Sequence, residues 1–189
     1  MYHLAVFASG GGTTLQAIID ATQKKELNCQ INLVISNSSS AYALERAKNA
    51  GIDTYVIQNK KADDIDLELE TLLNQYEIDL IVLAGYLKKI GPKLVENYTI
   101  INTHPSLIPK FCGKGMYGMK VHEAVVKAGE KISGATVHFV NNQYDEGNII
   151  SQTKIEVLET DTADDVAEKV KSAEKIQLIK VIRDLSQSY

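Results

Sequence analysis

The chain has 189 residues, 44% hydrophobic and 23% charged, with a formal net charge of −4. That is enough chain for a domain with a real core, and the acidic balance gives no global pull toward nucleic acid or an anionic membrane. The two cysteines, Cys29 and Cys112, form no CxxC and no His/Cys cluster at metal-ligand spacing, which points to a reducing cytoplasm; no apolar run approaches the roughly 18 residues of a membrane span, and residues 4–8 are too short for a signal segment.

In chain order, apolar runs alternate with helical patterns. Residues 2–8 read as a buried strand that breaks at Ser9-Gly10-Gly11-Gly12. A helix starts near Thr13, with Leu15, Ile18 and Ile19 on one face. Strand 31–35 is followed by helix 42–50, which stops at Gly51, and then by strand 54–57. Helix 63–76 has Leu67, Leu69, Leu72 and Leu73 as its apolar members. Strand 80–84 ends at Gly85, and residues 100–103 form a fifth strand. This alternation implies βαβ units and a parallel sheet covered on both faces. Residues 105–120, rich in Gly and Pro, read as loop. A helix over 121–128, a half-exposed alternating strand over 134–140, a polar loop over 141–147 and a strand over 149–157 follow. Residues 162–185 close the chain as a helix, with Thr162 and Asp165 at capping-box spacing. The expected fold is an open, mostly parallel twisted α/β sheet flanked by helices, with antiparallel strands in the C-terminal half. It is read as a single domain over 1–189, with a phosphate-binding half (1–100) and a catalytic half (101–189).

Two segments carry chemistry. Ser9-Gly10-Gly11-Gly12-Thr13-Thr14 joins a first strand to a first helix, where glycines bring backbone N–H groups close to a ligand and the helix N-terminus adds positive charge. It is neither a Walker motif nor a full GxGxxG. Asn102-Thr103-His104-Pro105 puts a carboxamide and an imidazole at i, i+2 on one side of an extended segment. One can donate to a developing oxyanion and the other can move a proton. His104 needs a carboxylate partner, and on spacing alone Asp145 and Glu146 are equal choices. His3, His122 and His138 are read as structural. Asp63, Asp64 and Asp66 suit a helix start without any catalytic role. Lys88, Lys89, Lys110, Lys114 and Lys120 together offer an anionic ligand some attraction. Cys112 is read as a passive loop thiol.

Asn102-Thr103-His104-Pro105-Ser106-Leu107-Ile108-Pro109 resembles the signature of the folate-dependent formyltransferases. Ser9 to Gln16 is similar to the phosphate loop of the branch acting on glycinamide ribonucleotide (GAR). Leu83-Ala84-Gly85-Tyr86-Leu87, Pro109-Lys110-Phe111, Gly113 to Gly118, and Val137-His138-Phe139-Val140 with Asp145-Glu146-Gly147 are further similar pieces, so the likeness runs through nearly the whole chain. It implies a Rossmann-like formyltransferase fold and transfer of a formyl group from the cosubstrate 10-formyltetrahydrofolate to the amine of GAR, in purine synthesis, without a metal. By motif match, Asn102, His104 and Asp145 are the catalytic trio. Direct attack gives a tetrahedral intermediate whose oxyanion Asn102 and His104 stabilise, while Asp145 supports His104. Gly11, Gly12, Thr13, Thr14, Leu15 and Glu174 are implied for GAR. Leu87, Lys88, Lys89, Ile90, Asn102, Asn141, Asn142, Gln143, Tyr144 and Asp145 are implied for the folate, largely through backbone groups.

Three positions depart from the family pattern: Thr14 stands where Asn is usual, Lys171 where the residue is often uncharged, and Cys112 where proline is common. A sister enzyme acting on methionyl-tRNA carries a further C-terminal domain, whereas 80 residues follow Pro109 here and the charge is acidic. A formyltetrahydrofolate hydrolase carries an N-terminal regulatory domain, whereas the first strand begins at Tyr2. Sugar-nucleotide formyltransferases lack the phosphate loop. A non-catalytic phosphate- or folate-binding module is the remaining alternative, since fold does not fix function. The expected partners are small molecules, with no nucleic acid or membrane, for a cytoplasmic monomer or homodimer.

Overall fold

The computed structural model describes residues 1–142 and 145–188. Its elements are β1 (Tyr2–Phe7), α1 (Thr13–Gln23), β2 (Cys29–Ser36), α2 (Tyr42–Asn49), β3 (Asp53–Val56), α3 (Ala62–Leu73), β4 (Leu80–Leu83), α4 (Pro92–Asn97), β5 (Ile100–His104), α5 (Met119–Lys127), β6 (Ile132–Phe139), β7 (Ile149–Glu156) and α6 (Ala163–Gln187). The strands form one open seven-stranded sheet in the order β3-β2-β1-β4-β5-β6-β7, mostly parallel, as the alternation of elements requires. The chain divides into two compact units: Met1–Ile101 together with the end of the chain from Arg183, and Asn102–Ile182.

In the first unit β1 pairs in parallel with β2 and β4, and β2 with β3. Leu4, Val6, Phe7, Leu33, Ile35, Leu80, Ile81 and Val82 are almost wholly buried, as strands covered on both faces must be. The β1–β2 register slips between Leu4 and Ala5, which pair with Ile31 and Leu33. The skipped Asn32 donates to the Glu77 carbonyl at 2.9 Å and lies 3.1 Å from His3 Nδ1. A bulge thus turns a polar residue out of an apolar strand.

Helix α3 corrects one expectation. Leu69 and Leu73 are buried, but Leu67 is 53% exposed, because at 100° per residue it stands on the opposite side of the helix from Leu69. Asp66 takes the inward position instead. Its Oδ2 accepts the Lys93 N–H at 3.0 Å, so a side chain of α3 caps the start of α4. Helix α4 was not expected from the sequence. It opens at Gly91-Pro92, and a Cβ on Gly91 would lie 2.2 Å from the Asp66 carboxyl carbon.

In the second unit β6 and β7 pair antiparallel. Val125, Ala135, Val157, Val166 and Val170 form its apolar cluster, with Phe111, Val126 and Ile155 against it. Strand β6 corrects a second expectation: Ser133 to His138 are all buried rather than alternately exposed. Helix α6 opens on the expected capping box, Thr162 N–H donating to Asp165 Oδ2 at 2.8 Å and Asp165 N–H to Thr162 Oγ1 at 3.2 Å.

Gly91→Ala should cost about 1–2 kcal/mol, the usual value of a lost helix cap, read as a lower urea midpoint at unchanged slope. The same substitution in an Asp66→Ala background should cost much less, because both changes remove one contact.

Candidate active site

The loop after β1 is built by its neighbours within the first unit. Ser9 N–H donates to Gly85 O at 3.1 Å. Ser9 Oγ donates to Asn37 Oδ1 at 2.5 Å and accepts the Leu87 N–H at 2.9 Å. The loop is therefore fastened to the chain ends that follow β2 and β4. Gly12 has φ +71°, and a Cβ there would lie 2.7 Å from Ala43, so both the conformation and the packing require glycine. Gly10 O accepts from Ala43 N–H at 3.1 Å and Gly11 O from Arg46 Nε–H at 2.7 Å. The carbonyls thus face α2. Among the described hydrogen bonds none uses the N–H of Gly11, Gly12 or Thr13.

The second unit holds a polar network at the ends of β5 and β6. Asp145, 11% exposed at its side chain, lies with Oδ2 3.6 Å from His104 Nδ1 and Oδ1 3.5 Å from His138 Nε2. Gly113 N–H donates to Asp145 Oδ2 at 3.0 Å. Burial alone would raise the Asp145 pKa. The His138 contact, the charge of His104 and the Gly113 N–H outweigh it, so the carboxyl titrates below its ordinary range. Asp145 has φ +53°, a left-handed conformation that Asp tolerates better than most residues.

Two backbone carbonyls decide the tautomers, since a carbonyl only accepts. His104 Nε2 is 2.9 Å from Phe111 O and therefore carries a hydrogen. Nδ1, facing Asp145, is then the basic nitrogen of the neutral ring. His138 Nδ1 is 2.8 Å from Phe139 O and carries its hydrogen there. Its Nε2 in the neutral ring accepts from Asn102 Nδ2 at 3.1 Å. That bond orients the Asn102 amide and leaves a second N–H to offer. A proton on His138 Nε2 would redirect it to Asp145 and release Asn102.

The segment that supplies Phe111 O is pinned by β6. Thr136 Oγ1 donates to Ser106 O at 2.7 Å and accepts from Ile108 N–H at 3.1 Å and from Gln152 Nε2 at 3.0 Å. Ser106 Oγ donates to Lys110 O at 2.6 Å.

The structure brings Asn102, His104 and Asp145 into one network and chooses between the two carboxylates that spacing left equal: Asp145 lies in it and Glu146 is exposed. It adds a residue that the sequence reading set aside as structural, His138, which touches both Asn102 and Asp145. The signal was present, because Thr136 and His138 repeat the i, i+2 polar spacing of Asn102 and His104. Gly11 is exposed, and Gly12 and Thr13 are half-buried. Thr14 is 9% exposed and Leu15 fully buried. Leu15, expected among the GAR contacts, turns its side chain into the core. Glu174 is half-buried on α6. Leu87, Lys88, Lys89, Asn141 and Asn142 are exposed, whereas Ile90 is buried and has only backbone to give. Gln143 and Tyr144, both expected at the folate, lie outside the described residues. Lys110 is engaged with Glu130 at 2.8 Å. Cys112 Sγ donates to Pro109 O at 3.2 Å. Burial and the charges of Asp145 and Glu146 push its thiol up, away from the thiolate a nucleophile needs.

The formyl transferase family model matches residues 2–182. The chain is 39% identical to the chloroplastic phosphoribosylglycinamide formyltransferase of Vigna unguiculata, over 97% of this chain and 61% of that protein. It is 38% identical to the phosphoribosylglycinamide formyltransferase of Haemophilus influenzae, over 92% and 82%. It thus spans 61% and 63% of two plant relatives, the second from Arabidopsis thaliana. Among solved structures, glycinamide ribonucleotide transformylase 1 from Symbiobacterium toebii superposes with a TM-score of 0.92 at 34% identity, over 100% of this chain and 89% of that one. Phosphoribosylglycinamide formyltransferase from Bacillus halodurans gives 0.89 at 31%, over 97% and 94%.

His122 on α5 gives a pH test of this unit. It is 5% exposed, and its Nδ1 has no hydrogen-bond partner among the described residues. Burial, then the positive charges of His104 and Lys171, hold its pKa below 6.5. The unfolded chain thus takes up this proton first, and the contribution of His122 is complete above about pH 6.5 and declines as the pH falls toward the folded value. Denaturant melts should show His122→Gln losing less stability than the parent between about pH 7 and pH 5.

Proposed function

The chain belongs to the formyl transferase family, and we propose that it transfers the formyl group of 10-formyltetrahydrofolate to the amine of glycinamide ribonucleotide in purine biosynthesis. The observation that carries this reading is the Asn102–His138–Asp145–His104 network with its carbonyl-fixed tautomers. It supplies hydrogen-bond donors and a proton carrier without an activated nucleophile: Ser106 is committed to Lys110 O and the Cys112 thiol is held protonated. That suits direct attack by a substrate amine.

In the proposed reaction the amine lone pair bonds to the formyl carbon and the carbonyl π pair moves to oxygen. Asn102 donates its second amide N–H to that oxyanion, and His104 donates from Nδ1 once protonated. Asp145, ionised across the neutral range, stabilises the imidazolium by charge; its 3.6 Å separation from Nδ1 exceeds a direct hydrogen bond but keeps the two charges close. The ammonium proton passes to the folate nitrogen, the carbon–nitrogen bond to the folate breaks, and the formamide and tetrahydrofolate leave. His138 positions Asn102 and shares Asp145. The N–H groups of Gly11, Gly12 and Thr13, unused among the described hydrogen bonds, receive the ribonucleotide phosphate, with the α1 N-terminus adding positive charge. Glu174 is assigned to the ribose hydroxyls, and the folate contacts named from the sequence remain part of this proposal. The first unit is taken as the phosphate-binding half and the second as the catalytic half of one formyltransferase domain, a cytoplasmic monomer or homodimer acting on small molecules.

The absorbance change on tetrahydrofolate release, followed with and without GAR, tests the reading. Release only with GAR supports it, release without GAR indicates a hydrolase, and no release indicates a binding module. His104→Ala should lower GAR-dependent turnover at least ~100-fold, the scale of a lost general acid–base group; near-normal turnover would sink the mechanism.

A further inference from the structure

Arg46 lies outside every group of residues singled out from the sequence, yet its guanidinium is engaged on three sides. Nε donates to Gly11 O at 2.7 Å and Nη1 to Gln16 Oε1 at 3.1 Å. Gln16 is itself fixed from its other end, its Nε2 donating to Asp20 Oδ1 at 2.8 Å. The Arg46 guanidinium carbon stands 4.9 Å from the centre of the Tyr42 ring. Two helices and a loop therefore meet on one side chain, in the bidentate and stacked arrangement that lysine cannot reproduce.

Each peptide unit has its N–H and C=O at opposite ends, so fixing the carbonyl fixes where the next N–H points. Ala43 N–H holds Gly10 O and Arg46 Nε–H holds Gly11 O, both toward α2. The N–H groups of Gly11 and Gly12 must then face the other way, the orientation an anion needs. Among the described hydrogen bonds Arg46 is the one donor to Gly11 O, and a glycine-rich loop has ample freedom to turn that peptide over and present a carbonyl dipole to the ligand once that bond is lost.

We propose that Arg46 is the positioning residue of the phosphate loop: it holds the Gly11 carbonyl away from the ligand, and its charge adds to the field of the α1 N-terminus. Arg46 acts through the loop and does not touch the reacting atoms. This rests on the reading of residues 11–14 as a phosphate site given above.

The test follows the backbone amide resonances of Gly11, Gly12 and Thr13 while inorganic phosphate is titrated into the full chain. In the parent these amides shift on phosphate addition. In Arg46→Lys, which keeps the charge but loses the fork, phosphate binds at least about 10-fold more weakly, the equivalent of one net hydrogen bond. The Gly11 and Gly12 amides of the free variant are already displaced, and the KM for the phosphorylated substrate rises more than kcat falls, with the folate KM little changed. Arg46→Gln weakens binding at least as much. If Arg46→Lys binds phosphate as tightly as the parent, or its free-state loop amides do not move, the role of Arg46 is overturned while the phosphate site stands. If the parent amides do not respond to phosphate at all, both the site and the role fall.

Discussion

An ionised carboxylate taken out of water costs several kcal/mol unless its oxygens are met by donors or cations. Asp145 is in that position, mostly buried: Oδ2 accepts the Gly113 N–H, and the His104 and His138 rings stand 3.6 Å from Oδ2 and 3.5 Å from Oδ1, where a proton on either imidazole faces the carboxylate. The rest of the second unit is arranged around meeting it. Strand β5 must end where His104 does, β6 must carry His138 to its own end, and the segment between Ser106 and Gly113 must fold back so that Phe111 O and Gly113 N–H point inward. Thr136 enforces that fold-back with three hydrogen bonds, which saturate a hydroxyl with one donor and two acceptor positions. The core of this unit and its chemistry therefore share residues.

The two halves of the proposed chemistry rest on the same device, a backbone carbonyl used to fix the state of a neighbour. In the second unit Phe111 O and Phe139 O choose the tautomers of His104 and His138, and this choice leaves His104 Nδ1 facing Asp145 and His138 Nε2 able to hold Asn102. In the first unit the carbonyls of Gly10 and Gly11 are themselves held by α2, and this choice leaves N–H groups free for an anion. Neither arrangement needs a side chain with an unusual intrinsic property. Each needs geometry held rigid by elements that pack for ordinary apolar reasons.

The parallel strands were legible because burial on both faces leaves continuous apolar runs, and the 3.6-residue period gave most of the helices. Helix α4 escaped because it has six residues and only Leu94 buried, so no period can show in it. The burial of β6 escaped because polar residues such as Thr136 and His138 suit an outward face in an alternating strand. Thr136 and His138 point inward with their hydrogen bonds satisfied there, which is how a buried strand tolerates polar residues. His138 was misjudged for the same reason. Its partners Asn102 and Asp145 are 36 and 7 positions away in the chain, and only the strand pairing brings all three together. Arg46 carried no sequence signal, since an arginine in a surface helix ordinarily faces water. The trio of Asn102, His104 and Asp145 was nameable because the motifs resembled a known family; the spacing alone did not distinguish Asp145 from Glu146.

The central claim is that Asn102, His104, His138 and Asp145 act as one unit in formyl transfer. Asn102 and Asp145 are linked through His138, so a double-mutant cycle on GAR-dependent turnover with Asn102→Ala, Asp145→Ala and the double variant tests it most directly. The account predicts that each single change costs at least ~100-fold and that the double variant is little slower than the worse single one. Losses that multiply would show two independent contributions and would contradict it.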